Sequence, residues 1–215
     1  TVLGDMPSGA GYGVIEPSGG SRDGAVTITH ALIEKAICGL SASFGAHTLT
    51  DVIFQDNVGC AVQLTGSAAL ASTRMTAART SSSAINVSTS GVVSVDGLSC
   101  TSNEGWCLVF ESSTSSVNEL TGSDITENSA GGILLHNSRV HVHHNNAKRN
   151  GFGLWIAGSS AGTIEANNIL YNSKEGVVAA TRDRSHPSVV ITGNNIFGNS
   201  SVEALLKATP NLSVA

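Results

Sequence analysis

The seven residues NNILYNS at positions 167–173 return with little change as NNIFGNS at positions 194–200. An apolar residue precedes each copy, Ile164 before the first and Ile191 before the second, and a glycine-led apolar run follows the first at 176–179. The same order of features recurs towards the N-terminus, and the similarity between the repeats becomes gradually weaker. The glycine-led run begins at residues 39, 61, 84, 107, 132, 153 and 176, with a weak last copy near 203. The sequence therefore consists of repeats of about 23 residues.

Each repeat holds three short segments in which apolar and polar residues alternate, which indicates β-strands. Glycine, asparagine, serine or aspartate separates these segments, which is typical of turns. The best candidate for a helix, HALIEKAI at 30–37, falls in register with the strand and turn of the other repeats, so we predict a strand there. Repeats of this kind predict a solenoid, and three strands per coil of about 23 residues are what a right-handed parallel β-helix requires.

The sequence resembles the superfamily of right-handed parallel β-helix repeats, which includes pectate-lyase-like and other carbohydrate-active proteins. The segments ITHALIEKAICGL (28–40), NNILYNS and NNIFGNS carry the resemblance, which extends from about residue 13 to residue 206. It implies one all-β domain over 1–215, with about eight coils at 13–202 and with 1–12 and 203–215 as edges or caps. The resemblance is specific for fold and says little about function. We expect the chain to be part of a longer protein.

Equivalent positions of neighbouring coils should stack in rows at the strand spacing of about 4.8 Å. Two rows of aliphatic residues should fill a narrow interior, one through Leu108 and Leu154 and the other through Leu120 and Ile164. An asparagine recurs at one turn, because it tolerates unusual turn dihedrals, bonds to its own backbone and can bond along the column. These asparagines, which we interpret as structural, are Asn57, Asn103, Asn128, Asn150, Asn172 and Asn199.

The four cysteines also follow the repeat. Cys38 and Cys60 each stand one position before the start of a glycine-led strand, so they should stack at a Cα separation that a disulfide accepts. Cys100 and Cys107 lie on either side of one turn. We predict the pairs Cys38–Cys60 and Cys100–Cys107, with reduced core cysteines as the alternative. Disulfides would indicate a secreted, periplasmic or cell-surface protein.

Composition and charge exclude several classes of function. Lys and Arg total 11, the net charge is −5, and no basic stripe is present, so we expect no nucleic-acid partner. No apolar run approaches the roughly 20 residues of a membrane span, so we expect no transmembrane segment. Charged residues make up 13% of the chain, against a typical value of about 25%. The surface is therefore unusually poor in ions.

One outward-facing row on the glycine-led strands is a candidate binding surface. Its first half is polar and its second half is apolar with a tryptophan, and an exposed apolar stripe often marks a ligand or partner site. Trp155 could stack on a sugar ring, or a loop of the same chain near 181–188 or a protein could cover the stripe. The candidate ligand-binding residues are Gln63, Asn86, Val109, Leu134, Trp155 and Val178.

A second outward-facing row gathers two imidazoles and several carboxylates. His141 and His143 share one strand face, because strand side chains alternate, and Glu119 and Glu165 occupy neighbouring coils. This group has three interpretations: a solvated strand face with ion pairs between coils, a general acid and base, or a site for a divalent metal. We expect no cofactor, and we regard a metal at His141 and His143 as the less favoured alternative.

Two functions remain open from the sequence. The first is a secreted or cell-surface β-helix module that binds a glycan or a surface protein through a flat face, without catalysis. The second is a polysaccharide-active enzyme, a lyase, hydrolase or epimerase, that uses His141, His143, Glu119 and Glu165. Enzymes of the superfamily that this sequence resembles use groups of acidic residues. In this sequence Asp96, Asp124 and Asp183 are isolated from one another. That spacing favours the binding module.

Overall fold

The computed structural model of this protein describes residues 24–113, 117–180, 186–207 and 213–214. In these ranges the chain forms 23 β-strands and no helix, and hence no helix that could cross a membrane. Neighbouring strands run parallel and belong to two sheets, which we call sheet 1 and sheet 2. The strands of sheet 1, in order, are β2 (Cys38–Ala42), β4 (Cys60–Gly66), β7 (Ile85–Thr89), β10 (Trp106–Glu111), β13 (Gly131–His136), β16 (Phe152–Ala157), β19 (Val177–Ala180) and β22 (Ala204–Lys207).

Sheet 2 has 15 strands and folds into two faces. The faces meet at the long strand β3 (Ala46–Gln55), and β1 (Thr27–Glu34) also pairs with β3. Face 2 continues from β3 through β5 (Ala69–Thr73), β8 (Val93–Asp96), β11 (Asn118–Thr121), β14 (Arg139–His143), β17 (Ala161–Glu165), β20 (Ser188–Thr192) and β23 (Ser213–Val214). Face 3 continues from β3 through β6 (Thr76–Ala78), β9 (Ser99–Thr101), β12 (Asp124–Thr126), β15 (Asn146–Lys148), β18 (Asn168–Leu170) and β21 (Asn195–Phe197).

One coil therefore contains one strand of sheet 1, one of face 2 and one of face 3, as β13, β14 and β15 do. The predicted fold is confirmed, a single all-β solenoid of the right-handed parallel β-helix type, with eight strands in sheet 1. The strand predicted within 30–37 is also confirmed, since β1 covers Thr27–Glu34. Residues 1–12 lie outside the described ranges, while Ala204–Lys207 extends sheet 1 by pairing with β19.

The interior consists of stacked aliphatic rows, as predicted. Leu40, Val62, Ile85 and Leu108 follow one another on sheet 1 and are fully buried. The row on face 2 is interrupted at Ser72, which stands between aliphatic residues of the neighbouring coils. Each aliphatic side chain buried in such a row contributes about 1.5–3 kcal/mol. The repetition of these rows supplies the main stabilisation of the solenoid.

The corners of the coils use backbone in the left-handed region. One column of such residues separates face 2 from face 3, and another separates face 3 from sheet 1. The first column is His30, Asp51, Arg74, Gly97, Gly122, His144, Ala166 and Gly193. The second is Lys35, Asp56, Arg79, Ser102, Glu127, Arg149, Tyr171 and Gly198. Each coil therefore turns at the same two points with one left-handed residue.

A ladder of buried asparagines follows the second column. Oδ1 of Asn150 accepts hydrogen bonds from the backbone N–H and Nδ2 of Asn128, at 3.0 and 2.9 Å, and Oδ1 of Asn172 accepts from the backbone N–H of Asn150. The predicted column is confirmed, but the predicted reason is partly wrong. The residue before each asparagine takes the left-handed turn, and the amide bonds mainly to neighbouring coils.

The ladder is interrupted near one end and is closed by a carboxylate at the other. Near one end, Thr80 replaces an asparagine, and Nδ2 of the buried Asn57 has no hydrogen-bond partner among the described residues. At the other end, the Glu203 carboxylate accepts hydrogen bonds from Nδ2 of Asn199 at 2.7 Å and from the N–H of Gly198 at 3.0 Å. Glu203 therefore takes the place of the next amide oxygen.

The first corner column carries a second ladder that the sequence analysis did not identify. The backbone N–H of Ser123 donates to Oδ1 of Asn145, and Nδ2 of Asn145 donates to Oδ1 of Asn167. Nδ2 of Asn167 then donates to Oδ1 of Asn194 at 2.9 Å. The doubled asparagine of NNILYNS thus begins in this ladder at Asn167, and its third asparagine, Asn172, belongs to the other ladder.

Two disulfides are formed, as predicted. Cys38 and Cys60 join neighbouring strands of sheet 1 with a Cα separation of 4.5 Å. Cys100 and Cys107 join the end of face 3 to sheet 1 within one coil, with a Cα separation of 5.9 Å. Cys107 occupies a position at which most coils have glycine or alanine. Those coils have small residues because the corner leaves little space there. A Cβ added at the equivalent Gly153 would lie 2.9 Å from Nδ2 of Asn172.

Candidate functional site

A groove of about 560 Å³ lies on the outer face of sheet 1. Its floor is Val109, Leu134 and Trp155, three residues that occupy equivalent positions on β10, β13 and β16. They point outwards because the residues on either side of them, such as Leu108 and Phe110, are buried in the core. Three of the four apolar residues of the predicted binding column therefore form the floor of the groove.

The remaining predicted residues of this column do not line the groove. Gln63 and Asn86 continue the column on β4 and β7, where Gln63 is exposed and Nδ2 of Asn86 donates to the Ser83 carbonyl at 3.2 Å. Val178 follows Trp155 on β19, but it is only 3% exposed. The prediction that Val178 belongs to an exposed stripe is therefore wrong. The loop proposed to cover the stripe falls mostly at 181–185, outside the described residues.

Aromatic side chains border the groove on one side. Trp106, at the start of β10, lies against Gly131, and its ring stacks on Phe152 with centroids 5.9 Å apart. Phe152 in turn meets Trp155 edge to face, with centroids 4.7 Å apart. The ammonium of Lys174 lies 4.6 Å from the centroid of Phe152. These contacts hold Trp106 and Trp155 in fixed positions, so the groove presents two indoles without a need for reordering.

The polar part of the groove is a pair of side chains at the ends of β10 and β13. Glu111 and His136 are direct neighbours in the sheet, and Oε1 of Glu111 lies 3.4 Å from Nδ1 of His136. Both side chains point into the groove beside Leu134. This pair can accept and donate hydrogen bonds to a ligand that lies on the apolar floor.

Sequence reasoning missed Trp106, Glu111 and His136 as groove residues. Strand alternation from Val109 and Leu134 could have identified Glu111 and His136, since each is two positions further along the same strand. No pattern in the sequence points to Trp106, because its position depends on the space above Gly131. The groove therefore extends beyond the predicted column at the start and at the end of the strands.

The predicted catalytic residues come together, but on face 2 and not in the groove. Glu119, His141 and Glu165 belong to β11, β14 and β17, which are neighbouring strands. Nε2 of His141 lies 2.9 Å from Oε1 of Glu165, and Nε2 of His143 lies 3.0 Å from Oε1 of Glu119. None of these four residues lines the groove. These four residues and the Glu111–His136 pair are therefore separate clusters on different sheets.

Comparison with known proteins agrees with this architecture. A family model described as a right handed beta helix region matches residues 38–183 and 110–214. A search of curated protein sequences finds no match.

Solved structures of enzymes share the fold. A mutant of the periplasmic alginate epimerase AlgG aligns with a TM-score of 0.74 and 16% identity, over 89% of this chain and 49% of that chain. A second mutant of the same epimerase aligns with a TM-score of 0.68 and 16% identity, over 88% and 49% of the two chains. The catalytic domain of a GH87 alpha-1,3-glucanase in complex with tetrasaccharides aligns with a TM-score of 0.56 and 11% identity, over 88% and 48%.

The likeness to these solved structures concerns the fold alone, because the identities are low. This chain also spans about half the length of the solved chains that it matches. The family model, in contrast, matches more than half of this chain, and the strand order is that of a parallel solenoid. The chain therefore belongs to the family of right-handed β-helix proteins.

Proposed function

We propose that this protein binds a glycan in the groove on the outer face of sheet 1. The observation that carries the proposal is the pair of indoles, Trp106 and Trp155, which lie in one groove with the aliphatic side chains of Val109 and Leu134. The floor of the groove crosses three strands, so at a spacing of about 4.8 Å it is roughly 10 Å long. The groove volume, about 560 Å³, falls within the range of small-molecule binding sites.

The chemistry of the groove suits a sugar. A pyranose ring has an apolar face of C–H groups, which an indole or an aliphatic side chain can cover, and hydroxyl groups at its edge, which need hydrogen-bond partners. Glu111 can accept hydrogen bonds from these hydroxyls, and His136 can donate or accept. A mostly apolar floor with few polar groups at one side is the common arrangement of a specific binding site.

The compartment fits a glycan ligand. Two disulfides are typical of proteins in oxidising compartments, and one of the similar structures is that of a periplasmic enzyme. We infer that this protein acts outside the cytoplasm, in the periplasm, at the cell surface or after secretion, where polysaccharides are accessible. The names of the similar enzymes suggest alginate and alpha-1,3-glucan as the first two glycans to test.

The test is titration calorimetry with oligosaccharides of alginate and of alpha-1,3-glucan. Trp155→Ala should weaken binding about tenfold or more, which corresponds to about 1.4 kcal/mol. Tyr171→Ala is the matched control. Tyr171 is an aromatic residue that is 56% exposed and lies at a corner of the coil, away from the groove, so this substitution should leave the affinity unchanged. Equal affinity of the Trp155→Ala variant and the unsubstituted protein would contradict the proposal, as would a lack of binding to any glycan of the panel.

A catalytic role is the second candidate, and the Glu111–His136 pair in the groove is the observation that favours it. A carboxylate and an imidazole 3.4 Å apart can act together as acid and base on a bound sugar. The same oligosaccharides should be incubated with the protein and the products separated by chromatography. Glu111→Gln should abolish product formation if the groove is catalytic. If the protein is a binding module without catalysis, neither the unsubstituted protein nor the Glu111→Gln variant should form product.

A further inference from the structure

The His/Glu cluster on face 2 forms a compact grid on three neighbouring strands. Glu119 on β11 is opposite His141 on β14, and His141 is opposite Thr163 on β17. In the next outward row, His143 is opposite Glu165. Two imidazoles thus occupy the middle strand with one carboxylate on each side.

The contacts within the grid are diagonal. Each histidine bonds to the carboxylate that is offset by two residues, so that His143 meets Glu119 and His141 meets Glu165, and the two imidazole rings stack with centroids 4.2 Å apart. One ligand atom from each of Glu119, His141 and His143 lies within 4.8 Å of the other two. The donors around a tetrahedral zinc ion lie about 3.3 Å apart. Small rotations of the side chains would therefore place three donors around one ion.

Burial and second contacts favour His143 as the central ligand. Its side chain is 16% exposed, less than the 35% of His141 and the 46% of Glu119. Nδ1 of His143 lies 3.2 Å from the Thr121 hydroxyl and 2.8 Å from Nδ1 of His144. A histidine that binds a metal through Nε2 usually uses Nδ1–H in a hydrogen bond that fixes the ring. Thr121 and His144 offer that bond.

We propose that Glu119, His141 and His143 bind one divalent transition-metal ion of the Zn²⁺ type. Two imidazoles and one carboxylate are a donor set that zinc accepts, whereas calcium and magnesium prefer oxygen ligands alone. The ion would join β11 and β14 across two neighbouring coils. The site is separate from the groove on sheet 1, so it does not depend on the proposed glycan binding.

The experiment uses the full chain without a histidine tag, freed of metal by a chelator. Zn²⁺ is titrated by calorimetry, and Co²⁺ is titrated by visible absorption, which shows intense bands only for a tetrahedral ion. We expect one ion per chain and a higher unfolding temperature with Zn²⁺. His143→Ala and Glu119→Gln should each weaken binding at least tenfold and remove the thermal shift. Glu119→Gln preserves the shape of the side chain, so it tests the site even if His143→Ala folds poorly.

The matched control is His136→Ala, which removes the imidazole of the other outward His–Glu pair, on sheet 1. This variant should bind Zn²⁺ as the unsubstituted protein does. The proposal is overturned if the unsubstituted protein binds no Zn²⁺, if binding persists in both the His143→Ala and Glu119→Gln variants, or if His136→Ala weakens it equally.

Discussion

At many corners of this protein, an asparagine directly follows the left-handed residue and holds the turn. Recurrence of asparagine in the sequence was sufficient to predict one ladder, but the left-handed residue could not be identified. Arg149, Tyr171 and Ala166 all adopt positive φ values and share no chemical feature. The following amide holds the corner through bonds to other coils, so the preceding residue is free to vary. The second ladder was missed because serine replaces asparagine in it at Ser123.

The break in the ladder at Thr80 gives a prediction at this scale. Thr80→Asn would supply an amide oxygen for the unpartnered Nδ2 of Asn57 and would keep the bond to Oδ1 of Asn103. An unsatisfied buried polar group costs about 1–3 kcal/mol, so we expect the variant to be more stable by about 1 kcal/mol in urea unfolding. Thr80→Val, which loses the hydroxyl without adding an amide, should be less stable than the unsubstituted protein. A Thr80→Asn variant with unchanged or lower stability would contradict this account.

At the scale of strands, the repeat spacing predicted which residues stack, and the alternation along each strand predicted their direction. The spacing alone was enough to place Cys38 beside Cys60 and to align Val109, Leu134 and Trp155. The burial of Val178 could not be predicted in the same way. Alternation gives the direction of a side chain, whereas exposure depends on what packs over it. The repeat therefore predicted the residues that form the floor of the groove, but not the residues at its borders.

Ion pairs between coils at the corners make stability depend on pH. Arg79 donates two hydrogen bonds to Asp56, at 2.6 and 2.9 Å, and these bonds lower the pKa of Asp56 below its ordinary value. A lowered pKa in the folded state stabilises the protein above the unfolded pKa of about 3.9, and this contribution is lost as the pH falls through the folded value. Asp56→Asn should therefore destabilise the protein at pH 7, and the difference should shrink below about pH 4.

This prediction is checked by urea unfolding of both proteins over a series of pH values. Asp124→Asn is a suitable control, because its partner Lys148 makes a single longer contact of 3.2 Å. Its effect should be smaller at every pH. A difference between Asp56→Asn and the unsubstituted protein that stays constant with pH would show that the carboxylate charge is not responsible.

At the scale of the whole molecule, each coil in the described part of the chain pairs with the coil before it and the coil after it. Stability in such a solenoid is approximately a sum of terms for each coil and for each interface between neighbours. The period of the sequence therefore predicted the architecture well. It could not distinguish a functional face from a structural one, because the same rows of alternating side chains cover every face. The groove depends on Trp106, Glu111 and His136, whose side chains differ from those at the equivalent positions of neighbouring coils, such as Gly131 and Ala157.

The nearest-neighbour character of the fold predicts a local effect of the disulfide between coils. Cys38–Cys60 closes a loop with a sequence separation of 22 residues, which corresponds to about 3 kcal/mol in the chain-entropy model. In the Cys38→Ser/Cys60→Ser double variant, hydrogen exchange should increase most in β2 and β4 and little in β13 and β16. The Cys100→Ser/Cys107→Ser double variant should instead raise exchange in β9 and β10. A uniform increase throughout the chain in both variants would contradict the nearest-neighbour account.

The asparagine ladders also give the solenoid a direction. Every amide oxygen faces the preceding coil and every amide nitrogen that bonds within a ladder faces the following one, in both ladders. The side-chain dipoles therefore add from coil to coil, and bonded amides of this kind polarise one another. The positive end of one column meets the negative carboxylate of Glu203. The solenoid thus has an electrical polarity of its own, analogous to that of an α-helix but oriented across the strands and along the axis of the coils.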